Sequence, residues 1–195
     1  MSDSGDLRLA VAALKAGRAV RILSDPPLKV LSVEAASADT LTMLDPASTA
    51  PLLISGWRAA ALSLANRRDA ADPAAPVLIE RSEWLDMEAA RAIADPGQDG
   101  DRAPLGPLTP LEMDQAVDAE TALKLARLAG LLPALWIIEG TGDEAAVSAE
   151  LLIAAGTEVR LAARAKLPVD DQRNMLLAVA CPKDRDLGVG HIVEW

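Results

Sequence analysis

The chain of 195 residues has one cysteine, Cys181, one histidine, His191, and neither phenylalanine nor tyrosine. A structural zinc site takes about four Cys or His ligands, so this chain cannot build one, and a lone cysteine precludes an internal disulfide. The missing Phe and Tyr, beside only four Trp, remove the platform on which RNA-binding modules stack bases. The core must come from Ala, Leu, Val and Ile. Basic side chains are in deficit: 19 Lys and Arg against 29 Asp and Glu give a net charge of −10, which repels phosphate backbones and anionic lipid. Neither a nucleic-acid nor a membrane partner is expected. No apolar run approaches the roughly 18 residues of a membrane span, and the opening MSDSGDLRL is acidic where a secretory leader is basic. The expected compartment is the cytoplasm.

What is present is an ordinary globular composition, 51 % hydrophobic and 25 % charged, enough for one compact domain or two small ones. Leu7, Ala10, Ala13 and Leu14 recur at helical spacing after Ser4 or Asp6 as cap, and Gly17 supplies the stop. Ala19 to Leu23 predicts a strand broken by Ser24-Asp25-Pro26-Pro27, and Leu28 to Val33 a second. A short apolar run at Leu52 to Ile54 precedes a helix over Trp57 to Ala65. Pro76 to Glu80 reads as a strand, and Ser82 as the start of a capping sequence for a helix through Ile93. Asp95 to Pro110, crowded with Pro, Gly and Asp, is a long loop and the place for any substrate lid. Asp118 as cap, with Leu125, Leu128 and Ala129 inward, predicts the strongest helix, Ala119 to Ala129, followed by a strand over Pro133 to Glu139. Glu144 to Ala155 reads as a further helix, and Val159 to Ala163 and Met175 to Ala180 as strands. This alternation predicts an α+β fold, a mixed sheet flanked by helices.

The common dinucleotide, phosphate-loop and hydrolase motifs are missing. Any Ser-His-Asp or Cys-His mechanism would need His191, five residues before the end of the chain; its other reading is a surface or dimer-contact histidine. Cys181, followed by Pro182, reads as a small buried residue or a reactive thiol. Three carboxylates are candidates for chemistry. Asp25 sits at a strand end in a Pro-Pro turn, where Asp also serves by accepting backbone hydrogen bonds. Asp118 is a helix cap with or without a substrate. Glu139 ends the apolar run Ala134 to Ile138 and so emerges at a sheet edge, functional or merely solvated. Arg67 and Arg68 are candidate phosphate-binding residues, or a solvated helix end.

The stretch from Glu120 to Ala134, ETALKLARLAGLLPA, resembles the helix-to-strand segment of 3,4-dihydroxy-2-butanone 4-phosphate (DHBP) synthase, where the helix opens H-T-E-A, continues D-L-A-R-L-A-G-L-x-P-A, and the next strand ends C-E-I. This register places Glu120 and Glu139 on two of the family's glutamates. Ala12 to Leu23, with its Ala16-Gly17-Arg18 turn, is similar to the family's opening helix and strand. The resemblance implies the DHBP synthase-like fold and a homodimer, with Trp57, Trp84 and Trp136 as large apolar anchors for a core or an interface. The family's histidine, an acid/base and metal ligand, aligns with Asp118, and the following Thr with Ala119. The family's acidic loop after the first strand is replaced by Ser24-Asp25-Pro26-Pro27-Leu28-Lys29, which loses the cluster that would bind magnesium and move protons.

Thr157 to Pro168 and Gly188 to Ile192 resemble the entry into GTP cyclohydrolase II. The two riboflavin-pathway domains occur fused in this order, some with a degenerate synthase half. The resemblance thus implies a synthase-like domain over residues 1–156 and the beginning of a cyclohydrolase-type segment over 157–195. The expected function is that of a non-catalytic N-terminal domain of a GTP cyclohydrolase II-type riboflavin protein, structural or regulatory, with no resident cofactor and with the cyclohydrolase catalytic domain as partner in cis or trans. The alternative is a divergent Mg²⁺-dependent lyase acting on a sugar phosphate such as ribulose 5-phosphate. In that case Asp25, Asp118 and Glu139 would converge on the metal, with Arg67, Arg68 or Arg18 on the phosphate.

Overall fold

Leu7, Ala10, Val11 and Leu14 form the buried side of helix α1 (Asp3–Lys15). Because α1 already begins at Asp3, neither Ser4 nor Asp6 is its cap. Gly17 ends the helix at φ +69°, and strands β1 (Val20–Leu23) and β2 (Leu28–Ser32) follow as an antiparallel hairpin across the Ser24–Pro27 turn. Helix α2 (Ala38–Leu44), capped by Ser37, is an element not anticipated from the sequence. Next come β3 (Leu52–Ile54), α3 (Gly56–Ala61), β4 (Val77–Ile79), α4 (Met87–Ala94), a 3-10 turn at Pro96–Gln98 and β5 (Pro110–Leu111). The cap of α4 is Asp86, which accepts from the Ala89 amide at 2.8 Å; Ser82 lies in the turn before it. Helix α5 (Ala116–Leu128) and strand β6 (Ala134–Ile138) form the expected helix-strand pair. Asp118 falls within the first turn of α5 rather than at its cap, because the helix starts earlier.

The computed structural model describes residues 3–64, 75–100, 106–113, 116–140, 142–155, 159–170, 173–182 and 191–194. The helix expected from Glu144 to Ala155 is in fact strand β7 (Ala145–Ser148) followed by helix α6 (Ala149–Ala155). Ala145 to Ser148 pair in parallel with Val20 to Leu23, and these ladder hydrogen bonds override the helical preference of an Ala-rich segment.

The seven strands run in the order β5-β4-β3-β6-β2-β1-β7, antiparallel except for β1 and β7. Side chains alternate across the sheet. Leu31, Leu52, Ile54, Val77, Ile79 and Trp136 pack on one face with Leu41, Ala59, Ala90 and Ile93 of α2, α3 and α4. Val20, Ile22, Val30, Leu53 and Leu135 occupy the opposite face, where α1 and α5 lie. Trp136 is fully buried, and Trp84 packs partly buried against the same core. Trp57 is 74 % exposed.

By its internal contacts the chain divides into two compact units, Met1–Leu152 and Ile153–Trp195. The second holds an antiparallel three-stranded sheet of β8 (Val159–Asp170), β9 (Arg173–Pro182) and β10 (His191–Glu194), with β9 in the middle. Cys181 stands opposite Arg160 and His191 opposite Ala180 in its register. No described helix is long and apolar enough to cross a membrane.

Candidate functional site

One end of the seven-stranded sheet gathers the sequence-predicted carboxylates. Pairing of Lys29 with Ile138 sets the Ser24–Pro27 turn beside the end of β6, where Glu139 follows. Ser24 Oγ donates to the Pro26 carbonyl at 2.8 Å, closing the turn and leaving Asp25 exposed. Glu139 is also exposed, and Asp118 is half-buried. The first turn of α5 reaches the same end, for Ala119 shares a cavity of about 250 Å³ with Leu28 and Ile137.

Among the described residues that cavity is lined by Leu28, Leu53, Leu78, Met113, Ala119 and Ile137, with Glu112 as the carboxylate. The reason is the pleat: Leu28, Leu53, Leu78 and Ile137 point to the sheet face on which α5 lies, and half-buried Leu28, Leu78 and Ile137 are incompletely covered. None of Asp25, Asp118 and Glu139 lines it. Magnesium takes near-octahedral oxygen coordination and is held through carboxylates and substrate phosphates. Among the described residues no group of three or more His, Cys, Asp or Glu is disposed to hold a metal ion. The described carboxylates at this end thus do not by themselves make up the magnesium site of the lyase reading. Arg67 and Arg68 lie outside the described residues. Glu112 was invisible in the sequence: a carboxylate between Leu111 and Met113 carries no signal until β5 brings it to the cavity.

Two further charged groups sit within the fold. Lys29 Nζ pairs with Glu144 Oε1 at 2.6 Å, both side chains nearly buried. Burial alone would raise the Glu144 carboxyl, but hydrogen bonds from Lys29 and from backbone amides, with the attraction of the Lys29 charge, hold it below its ordinary value. Its Oε2 is buried and accepts no hydrogen bond. Arg81 lies over the Trp136 ring, 4.3 Å from guanidinium carbon to ring centroid, with Asp45 Oδ2 3.8 Å from Nη1. Burial lowers the pKa of Arg81, and Asp45 and Asp86 oppose that shift. Asp45 is committed to the Thr49 and Ala50 amides at 3.0 and 2.9 Å. This cluster welds a loop to the core.

No protein-family model matches the chain, and no curated protein matches it in sequence. Its fold does match solved structures. Over 78 % of this chain and 97 % of the other, it resembles the crystal structure of 3,4-dihydroxy-2-butanone 4-phosphate synthase of Candida albicans, with 17 % identity and a TM-score of 0.54. A second match is RibBX, a two-domain 3,4-dihydroxy-2-butanone 4-phosphate synthase from A. baumannii, at 15 % identity and a TM-score of 0.49, covering 90 % of this chain and 66 % of that one. The architecture is thus the mixed α+β, DHBP synthase-like fold expected from the sequence.

Proposed function

We propose that residues 1–156 form a synthase-fold domain of riboflavin biosynthesis that does not itself catalyse the lyase reaction, and that residues 157–195 begin a GTP cyclohydrolase II-type segment. The domain's role is structural or regulatory, in partnership with a cyclohydrolase catalytic domain in cis or trans. The observation that carries this reading is the lining of the cavity at the α5 end of the sheet, which among the described residues is six apolar side chains and one carboxylate. A sugar phosphate is polar over its whole surface, and its transfer into such a lining strips hydration without replacement hydrogen bonds. The DHBP synthase-like fold at 17 % identity supplies the pathway context, as do the two sequence resemblances.

The deciding experiment is formate release by the purified chain, supplied with Mg²⁺ and either ribulose 5-phosphate or GTP. The expected result is none from ribulose 5-phosphate. Formate from that substrate, lost in Asp118→Ala or Glu139→Ala, would overturn the reading in favour of a divergent lyase. Stable co-sedimentation with a GTP cyclohydrolase II catalytic domain, or a change in its rate on GTP, is the positive result expected. The homodimer belongs to the same proposal, with exposed Trp57 as an anchor. Sedimentation equilibrium should give twice the chain mass, shifting toward the monomer in Trp57→Ser.

A further inference from the structure

The opposite end of β1 from the Asp25 turn holds a second pocket, of about 350 Å³. Arg18, which follows the helix-ending Gly17, and Asp143, which precedes β7, both line it. Parallel pairing of Val20 with Ala145 brings these two strand starts together. Small residues such as Ala19 and Ala145 leave the space open, and Met43 and Leu44 at the end of α2 form an apolar wall. The volume lies within the range of small-molecule sites, roughly 300–1,000 Å³.

The charges around this pocket leave a definite remainder. Glu144 also lines it, but its charge is matched by Lys29, with which it pairs through Oε1. Arg18 and Asp143 are exposed and neither forms an ion pair nor a side-chain hydrogen bond with any described residue, each other included. One cation and one anion thus stand beside an apolar surface with no side-chain partner among the described residues. Met43, at 72 % exposed, leaves that surface open to a ligand's aliphatic part. Apolar walls with a few convergent polar groups are the general form of a small-ligand site.

We propose that this pocket binds a small zwitterion of the α-amino acid class with an aliphatic side chain, its carboxylate on Arg18, its ammonium on Asp143 and its side chain against Met43 and Leu44. Arg18 suits the carboxylate because the guanidinium fork donates two parallel hydrogen bonds. Glu144, neutralised by Lys29, leaves Asp143 as the carboxylate for the ammonium. The site is independent of the lyase question, since none of its residues lies at the α5 end of the sheet.

The test is calorimetric titration of the full chain with L-leucine, with isocaproate, which lacks the ammonium, and with isopentylamine, which lacks the carboxylate. L-leucine should bind saturably at one site, and each analogue about tenfold or more weaker, as expected when a charged hydrogen bond is lost. Arg18→Ala should weaken L-leucine by about tenfold without changing isopentylamine, and Asp143→Asn should weaken L-leucine without changing isocaproate. Both positions are exposed, so both variants should retain the wild-type circular dichroism. No saturable binding of L-leucine at millimolar concentrations would overturn the proposal. So would isopentylamine or isocaproate binding as tightly as L-leucine, or L-leucine binding unchanged in both variants.

Discussion

Arg58 of α3 grips Asp99 through both ends of its guanidinium, Nη1 to Oδ2 and Nη2 to Oδ1, each at 2.6 Å. The same side chain donates from Nε to the Ile93 carbonyl and from Nη2 to that of Asp95. One arginine thereby satisfies carbonyls at the end of α4 and pins the start of the long loop that follows.

Arg58 is 7 % exposed and the Asp99 side chain 37 %, so the two partners should differ in cost. Arg58→Ala removes the buried donor to the Ile93 carbonyl and the fork on Asp99, and should lower stability by about 3 kcal/mol. Asp99→Asn keeps a carbonyl acceptor in a wetter place and should cost about 1 kcal/mol. Urea unfolding measures both, and equal effects would contradict the clamp.

Gly17 and Gly140 both have positive φ, +69° and +87°, but their surroundings differ. A Cβ at Gly17 would stand 2.5 Å from the Ala35 carbonyl oxygen, whereas at Gly140 it would meet nothing within 4 Å. Gly140→Ala should therefore cost only the left-handed backbone penalty, about 1 kcal/mol. Gly17→Ala should cost more than about 2 kcal/mol, because the backbone of the next segment must also move. Thermal or chemical unfolding of the pair checks the order.

The Lys29–Glu144 pair makes a signed pH prediction. Because the Glu144 carboxyl is held below its ordinary 4.5, its contribution to stability is present above that pH and is lost as the pH falls through the folded value. In Lys29→Met the burial that tends to raise this pKa is no longer opposed by Lys29, so acidification relieves the buried charge instead. The stability difference between wild type and variant should be largest near neutrality and narrow below about pH 4.5. Denaturant midpoints across that range decide it; a gap independent of pH would contradict the assignment.

Asp118 and Glu139 should behave as ordinary surface charges. Asp118→Ala removes a carboxylate from the first turn of α5 and should cost about 0.5 kcal/mol through the helix dipole. Glu139→Ala, at an exposed strand end, should stay within about 0.5 kcal/mol of wild type. Melting curves suffice. A strongly stabilising Glu139→Ala would mark a strained carboxylate of the kind that functional sites retain.

Much of the fold was legible because its signals are local. The apolar run from Ala134 to Ile138 became β6, and the spacing of Leu125, Ala129 and Gly130 located the end of α5 within a residue or two. Ala145 to Ser148 misled for the opposite reason. Its helical preference is local, whereas its pairing with β1 spans most of the first unit. At the candidate site, the strand-end places of Asp25 and Glu139 were legible from the Pro-Pro turn and the apolar run before Glu139. The apolar lining was not, since it combines residues from four separate strands, the segment after β5 and the start of α5.

By itself the sequence set its composition: one Cys181 and one His191, too few for a Cys/His zinc cluster within the chain, and a net charge of −10. It also set the elements whose cues lie within one helix or strand. The tertiary structure alone decided the strand order, the parallel β1–β7 pair, the Lys29–Glu144 contact and the pocket between Arg18 and Asp143. The physical reason is one of range. Caps, stops and periodicity act over a few residues, while burial and charge pairing depend on which distant segments the sheet brings side by side.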